Sequence, residues 1–444
     1  MSDRTILVWF RNDLRIHDNE ILLEAMRKAD KVLPVYCFDP YYFQTNASGN
    51  PKTGNLRARF LIESVADLRK NIRAIGGELI VKVGNPADIL PKLAGEYQVN
   101  EVYHHREVAH EETEISEQVE TALWKMRLNL KHFIGHTLYH KEDLPFPIKD
   151  IPDSFAIFKK KIERDSTVRP CLGTPETVVT PVIKQPGDLP TLHELGLDEP
   201  LYDPRSEEVF HGGETAALSR LENFFLVNDH NETGKGHRLL TAPHSSGLSA
   251  WIALGCISMR HVYHEVAKHQ QSTHNNQYNA MLLDLLWRDY FRFMFKKHGQ
   301  KFIAAKNNSE QHEFAPNQEA LFEAWKNGET GVPMVDAIMH ELNATGFISN
   351  QSRQITAGFL VNELNVDWTK GAAYFEEKLI DYSPASNWGN WAFIAGVNDA
   401  RESRYHVVTK TAIELETKNE FIDTWLPLLK DLDYHEHFDH LVVK

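Results

Sequence analysis

Cysteine is scarce: the 444 residues hold three, Cys37, Cys171 and Cys256, far apart in the chain. That number excludes a disulfide framework and leaves too few thiolates for an iron–sulfur site with four cysteine ligands. It fits a reduced compartment, and a cytoplasmic location is the expectation. No run of about 18 uncharged apolar residues occurs, so no segment reads as a membrane span. Residues 1–5 lead straight into an apolar run, without the successive regions of a secretory signal. Positive charge is in deficit: 48 Lys and Arg stand against 62 Asp and Glu, a net charge of −14. This argues against unspecific, field-driven binding to a polyanion, so a nucleic-acid function would need a local basic patch. No G-x-G-x-x-G or Walker-type loop follows the first apolar run, which removes the dinucleotide and NTP fingerprints. No metal site is expected.

The residues that are present divide the chain into three parts. In residues 1–140, apolar runs at 6–10, 32–38, 79–83, 99–104 and 131–134 have the length of buried strands. Helical patterns separate them: one that Asp18 or Asn19 can cap, one over 57–75 stopped by Gly76 and Gly77, one opened by Pro86, and one over 111–128. This alternation predicts a doubly wound parallel sheet, whose ligands bind beyond the carboxyl ends of the strands. Residues 141–213 carry ten prolines and read as a linker in which few helical runs survive. Residues 214–444 read as mainly helical and hold seven of the nine tryptophans. The fold class is α/β plus all-α: an N-terminal doubly wound parallel-sheet domain joined by a long linker to a helical domain.

Candidate chemistry lies in the helical part. Arg288, Arg292, Lys296, Lys297, Lys301 and Lys306 form a basic run interleaved with aromatics. It reads either as a nucleic-acid patch or, more commonly for such runs, as a half-solvated helix with an apolar core face. Spacings of three and four put Asp284, Trp287 and Arg288 on one helical face. A carboxylate, an aromatic plane and a cation suit a nucleobase; they also suit a salt bridge beside a core tryptophan. Ser245, Ser246, Gly247, Leu248 and Ser249 open a helix and can turn hydroxyls and backbone N–H groups toward a phosphate, or simply cap that helix. Asn387, between Asp381 and Trp391, suits the edge of something flat and polar.

Taken in order, Val8-Trp-Phe-Arg-Asn-Asp-Leu-Arg15, Ser245-Ser-Gly-Leu-Ser249, Leu286-Trp-Arg-Asp289, Thr330-Gly-Val-Pro-Met-Val-Asp-Ala337, Thr345-Gly-Phe347 and Asn387-Trp-Gly-Asn-Trp391 resemble the photolyase/cryptochrome family over nearly the whole chain. The cryptochrome-DASH branch is the most similar. The resemblance implies FAD in the helical domain and 5,10-methenyltetrahydrofolate as an antenna on the sheet domain, near Glu111 in the run Glu107-Val-Ala-His-Glu-Glu112, whose register the sequence leaves open. Ser245, Ser246, Gly247, Leu248 and Ser249 match its diphosphate loop. Arg288, Arg353, Asp381, Ser383 and Asn387 match positions around the flavin. Asp284, Trp287, Asn350 and Gln354 match the lesion pocket, and Trp391 and Trp368 match its electron path.

The activity implied is light-driven repair of cyclobutane pyrimidine dimers, in single-stranded DNA, by a monomeric deoxyribodipyrimidine photo-lyase. The alternative is a photoreceptor that binds FAD without repairing. Ser349 and Asn350 stand where enzymes for the (6-4) photoproduct carry a histidine pair, which favours the cyclobutane dimer. The absence of a long extension after Lys444 disfavours elaborate signalling. Departures from the family pattern are Gly247 for a basic residue, Ser383 for an acid, Gln351 for an arginine and Phe393 for a tyrosine or tryptophan. Phe314 stands where the third, surface tryptophan of the electron path is expected, so either the path stops at Trp368 or charge leaves by another aromatic, with Trp325 the candidate exit.

Overall fold

The computed structural model of the chain describes residues 3–46, 49–201, 203–206, 210–230, 246–273, 277–303, 314–397 and 420–427. Five short apolar segments pair as strands: β1 (Thr5–Phe10), β2 (Lys31–Phe38), β3 (Ile80–Val83), β4 (Glu101–His105) and β5 (Leu130–Phe133). All pairings are parallel, in the order β3-β2-β1-β4-β5, with Ile6 opposite Val32 on one side and Glu101 on the other. Every residue of β1 is buried, as a central strand covered on both faces must be. The connections are helices α1 (Glu20–Lys28), α2 (Asn55–Ala74), α3 (Pro86–Glu96) and α4 (His110–Trp124). Asn19 caps α1 by accepting from the Leu22 N–H. Pro86 lies in the first turn of α3, where a missing N–H costs nothing. Chain order reverses between β1 and β4, so the loops after these strands diverge and leave a crevice.

Residues 141–213 are less bare than their prolines suggest. Between Pro152 and Pro170 runs α5 (Phe155–Asp165), which buries Phe158 and Ile162 completely. The helical half contains α6 (Glu214–His230), α7 (Ser249–Ala253), α8 (Met259–Thr273), α9 (Gln277–His298), α10 (Gln318–Asn327), α11 (Pro333–Thr345), α12 (Asn350–Gly358), α13 (Trp368–Lys378) and α14 (Pro384–Ile394), then a last helix at Glu420–Trp425. One apolar core runs from sheet to helices and includes Phe10, Phe60, Phe158, Tyr278 and Phe291. A second, around Trp325, Ile338, Phe375 and Trp391, belongs to the helices alone. Among the described residues no helix is long and apolar enough to cross a membrane.

Candidate functional site

The start of α12 is set by Ser349, whose hydroxyl accepts from the Ser352 N–H. One turn on, the Arg353 guanidinium folds back: Nε and Nη2 donate to the Ile348 carbonyl at 3.1 and 3.0 Å, and Nη2 also meets Asp381 Oδ2 at 2.8 Å. The other oxygen, Asp381 Oδ1, is buried and has no protein donor. Leaving such an acceptor unmet costs about 1–3 kcal/mol, so the position suits a ligand N–H. Asn387 is fixed from two sides on α14. Its N–H donates to the carbonyl of Ser383, a buried N-cap, and its Nδ2 donates to Ala372 O at 2.9 Å. A carbonyl can only accept, so this bond determines which way the amide points.

Asp284 of α9 is exposed, yet burial pushes its carboxyl up to about 6 against the pull of Arg353. Desolvation disfavours the charged carboxylate, and the Arg353 charge offsets only part of it. Asn350, exposed, and Gln354, half-buried, follow each other one turn apart on α12. In the phosphate-type loop, Ser245 lies outside the described residues. The Ser246 carbonyl accepts from Arg220 Nε at 2.8 Å. Gly247 has φ +64°, and a Cβ there would fall 2.7 Å from Arg220 Nη2, so glycine is required twice over. Leu248 is buried and Ser249, exposed, opens α7.

Arg288 does not join this group. Its Nη1 donates to His136 O at 2.6 Å, its Nη2 reaches Ile252 O at 3.4 Å, and burial lowers its pKa to about 10. Helical spacing put it on the face of Asp284, but its long side chain turns toward the sheet domain. The rest of the basic run does much the same. Arg292 pairs with Glu107 at 2.7 Å, and Lys297 meets Ile151 O at 2.7 Å and Asp153 at 2.6 Å. Lys306 lies outside the described residues. Among the described residues the run is half-solvated with an apolar core face, Lys296 and Lys301 being exposed, while Arg288 and Arg292 dock on the sheet domain and Lys297 on the linker.

The aromatic residues form two groups. Trp287 stacks on Phe155 with centroids 3.5 Å apart and planes 9° apart, and Phe393 meets it edge-on at 5.6 Å. Trp391 packs against Trp325 at 6.2 Å and Phe375 at 5.1 Å. A Cβ at Gly371 would lie 2.3 Å from Trp391 Cη2, so this glycine makes room for the indole. Trp368 is half-buried and meets Trp388 at 5.9 Å. Trp325 is 0 % exposed and donates Nε1–H to Thr356 O at 3.0 Å. Trp325, the candidate exit, is thus an interior ring and does not itself reach solvent. Phe314 is the exposed one.

At the crevice between β1 and β4, the run Glu107–Glu112 named for the antenna gains partners that the sequence did not show: Asn12, Asp13, His105, His136 and Arg292. His105 pairs with Asp13 at 2.7 Å, and Asn12 Nδ2 donates to Glu107 Oε1 at 2.9 Å. Glu107 also lies 3.3 Å from His136. Burial opposes charge on Glu107, but His136, Arg292 and Arg11 outweigh it and hold the carboxyl well below its usual range. Burial and the neighbouring Glu107 push Glu112 the other way, up to about 8. Glu107, His136 and Arg292 line a cavity of about 290 Å³, with Arg106, Lys141 and Lys296 also around it. Glu111 is not among its lining residues; its carboxylate meets Lys52 Nζ at 2.7 Å. The switch-point rule was the signal that could have found this place.

Comparison with known proteins decides the family. The sequence pattern described as the FAD binding domain of DNA photolyase matches residues 281–441, and that of DNA photolyase matches 6–178. A cryptochrome DASH of Gloeobacter violaceus is 43% identical over 439 residues, which is 97% of this chain and 87% of the relative. The chain belongs to the photolyase/cryptochrome family, in its cryptochrome-DASH branch. Among solved structures, a cryptochrome from Synechocystis superposes with a TM-score of 0.89 at 39% identity, covering 97% of this chain and 90% of that one. An archaeal photolyase from Sulfolobus tokodaii, described with two FAD molecules, gives 0.79 at 26% identity, covering 96% and 91%. FAD is the cofactor of this cryptochrome-DASH chain. The donor set fits it: an unmet buried carboxylate oxygen on Asp381, a fixed amide on Asn387 and a guanidinium on Arg353 suit a flat heterocycle edged with N–H and C=O groups.

Proposed function

We propose that the chain is a deoxyribodipyrimidine photo-lyase that repairs cyclobutane pyrimidine dimers in single-stranded DNA. The observation that carries this reading is that the desolvated Asp284 carboxyl lies within electrostatic reach of Arg353, whose own helix bears Asn350 and Gln354 one turn apart. In this reading Arg353, Asp381 and Asn387 hold the flavin, with Ser383 setting the start of the helix that bears Asn387. Ser245, Ser246, Gly247, Leu248 and Ser249 face the diphosphate, and Arg288 acts at a distance by fixing α9. Bound FAD supplies light-driven one-electron chemistry. The side chains do the rest. Trp287, braced by Phe155, offers a flat surface to the flipped base; Asn350 and Gln354 offer amide hydrogen bonds; Asp284 offers a carboxyl that titrates near pH 6. Trp391 and Trp368 supply electrons to the site.

Residues 1–140 act as the antenna-binding domain, 141–213 as the linker and 214–444 as the FAD-binding, catalytic domain. The folate antenna fits the crevice cavity better than Glu111 itself: the buried Glu107 carboxylate suits the N–H edge of a pterin, and the basic residues around the cavity suit a carboxylate tail. One observation favours the photoreceptor reading. In the basic run, the best candidate for a DNA-facing patch on an acidic chain, both arginines are spent between the two halves and Lys297 is held by the linker. One experiment decides between the two readings. The reduced protein is illuminated with dimer-containing single-stranded DNA and the dimers are counted. Loss of dimers supports repair; an unchanged count in a protein that still bleaches its flavin supports signalling.

A further inference from the structure

Next to Asp381 in the chain, Tyr382 belongs to a polar relay that starts at Trp368 and whose other members have no part in the reading above. Trp368 meets Trp388 edge-on at 5.9 Å. Trp388 donates Nε1–H to the Tyr382 hydroxyl oxygen at 3.2 Å. That hydroxyl has its own proton to place, and the buried Glu376 carboxylate is close enough that the phenol favours its ionised form while it disfavours the phenolate. The Arg57 guanidinium covers the Tyr382 ring, 4.6 Å from its centroid. Beyond Glu376 the relay continues through Lys52, 3.9 Å away, to Glu111, whose side chain is 41 % exposed. Indole, phenol, carboxylate and a charged pair thus lead in sequence from the interior to water.

We propose that Tyr382 is an electron and proton donor that discharges an oxidised tryptophan at Trp368 or Trp388. This rests on the reading that tryptophans supply electrons to the site. The step balances within the chain. One electron passes from Tyr382 to the tryptophan radical cation, which becomes neutral indole. The O–H bond of Tyr382 breaks, its proton forms a new O–H bond on Glu376, and a neutral tyrosyl radical remains. The surroundings favour this form of the step. A cation over the ring disfavours a positively charged tyrosine, so the electron leaves only if the proton leaves too. Lys52 and Arg57 favour the ionised, proton-accepting form of Glu376, while burial opposes it. Separating electron from proton makes charge return slow, because the back step must recover both.

The test uses the FAD-loaded protein in the dark, with azide radicals from pulse radiolysis as the oxidant of tryptophan. The transient absorbances of tryptophanyl and tyrosyl radicals are followed separately. In the parent, tryptophanyl decay is matched by tyrosyl growth, and heavy water slows both. Tyr382→Phe removes a single oxygen and should lose that fraction of the tyrosyl signal; circular dichroism confirms that the fold is retained. Glu376→Gln should slow the transfer and Glu376→Asp should restore part of it. A tyrosyl signal in Tyr382→Phe equal to the parent's overturns the proposal, and an unchanged rate in Glu376→Gln overturns its proton step. A light flash on the same sample keeps the underlying reading separate. If light produces no tryptophanyl radical, electron supply through tryptophan fails, while the dark reaction still decides the role of Tyr382.

Discussion

Asp284 joins two properties that seldom coincide, an exposed side chain and a carboxyl pushed up to about 6 by burial. Its ordinary value is 3.8, so between that and about 6 the folded protein binds a proton that the unfolded chain does not. Stability therefore falls as pH rises through this window, and the cost of the charge is complete above it. Asp284→Asn is expected to flatten this part of the melting temperature–pH curve. If the carboxyl touches the lesion, the parent's dimer affinity also changes with a midpoint near pH 6, and the variant's does not. The neighbouring positions give a simpler expectation. Asn350→Ala should weaken dimer binding by about 1–3 kcal/mol through an unpaired polar group. Trp287→Ala should weaken it by about 1–3 kcal/mol through lost stacking. Affinity for dimer-containing oligonucleotide in the dark measures both. Because Phe155 stacks on Trp287, Phe155→Ala should produce a smaller loss in the same direction, by freeing the indole to tilt.

Elements decide which of several chemically equal residues can act. Helix α14 puts Trp391 between Phe375 of α13 and Trp325 of α10, which makes Trp325 an interior neighbour and not a surface donor. Flavin photoreduction with an external reductant should slow strongly in Trp391→Phe. In Trp325→Phe it should slow only slightly, since a fully buried ring cannot itself be refilled from solution. A Trp325→Phe protein as slow as Trp391→Phe would mean that charge leaves through that core. Helix α9 shows the same principle with charge. Four basic residues of the run, Arg288, Arg292, Lys296 and Lys297, lie on it, but Arg288 and Arg292 face the sheet domain while Lys296 stays exposed. Periodicity reports a face of the helix; it does not report what that face is packed against.

At the scale of the whole molecule, the two halves are joined by buried charge. Arg292 of the helical half meets Glu107 of the sheet half at 2.7 Å, with both side chains at most 5 % exposed. Arg292→Met should cost about 3–5 kcal/mol, because it strands the Glu107 carboxylate away from water. The pair Arg292→Met and Glu107→Gln together should recover much of that loss. Urea unfolding measures both, and a double variant no more stable than Arg292→Met alone would show that the pair is not the joint. Folate uptake by the same variants reports on the cavity that these residues line.

The sequence by itself determined the strands, the helix between each pair, and the parallel sheet. Those follow from local patterns of apolar residues, and a buried parallel strand such as β1 needs nothing else to be legible. It also carried the family, through motifs in fixed order, and with them Arg353, Asp381 and Asn387 as candidates. Tertiary structure alone decided which partners these side chains have. Nothing near Glu107 in the chain announces that Arg292, 185 residues away, will meet it. Nothing in the proline-rich stretch announces that Phe155 will brace Trp287. Nor does spacing reveal that Trp325 is interior or that Glu111 is taken by Lys52. The physical reason is range. Backbone preference and apolar period act over a few residues, whereas an ion pair or a ring stack is formed by atoms that only the completed fold brings within a few ångströms.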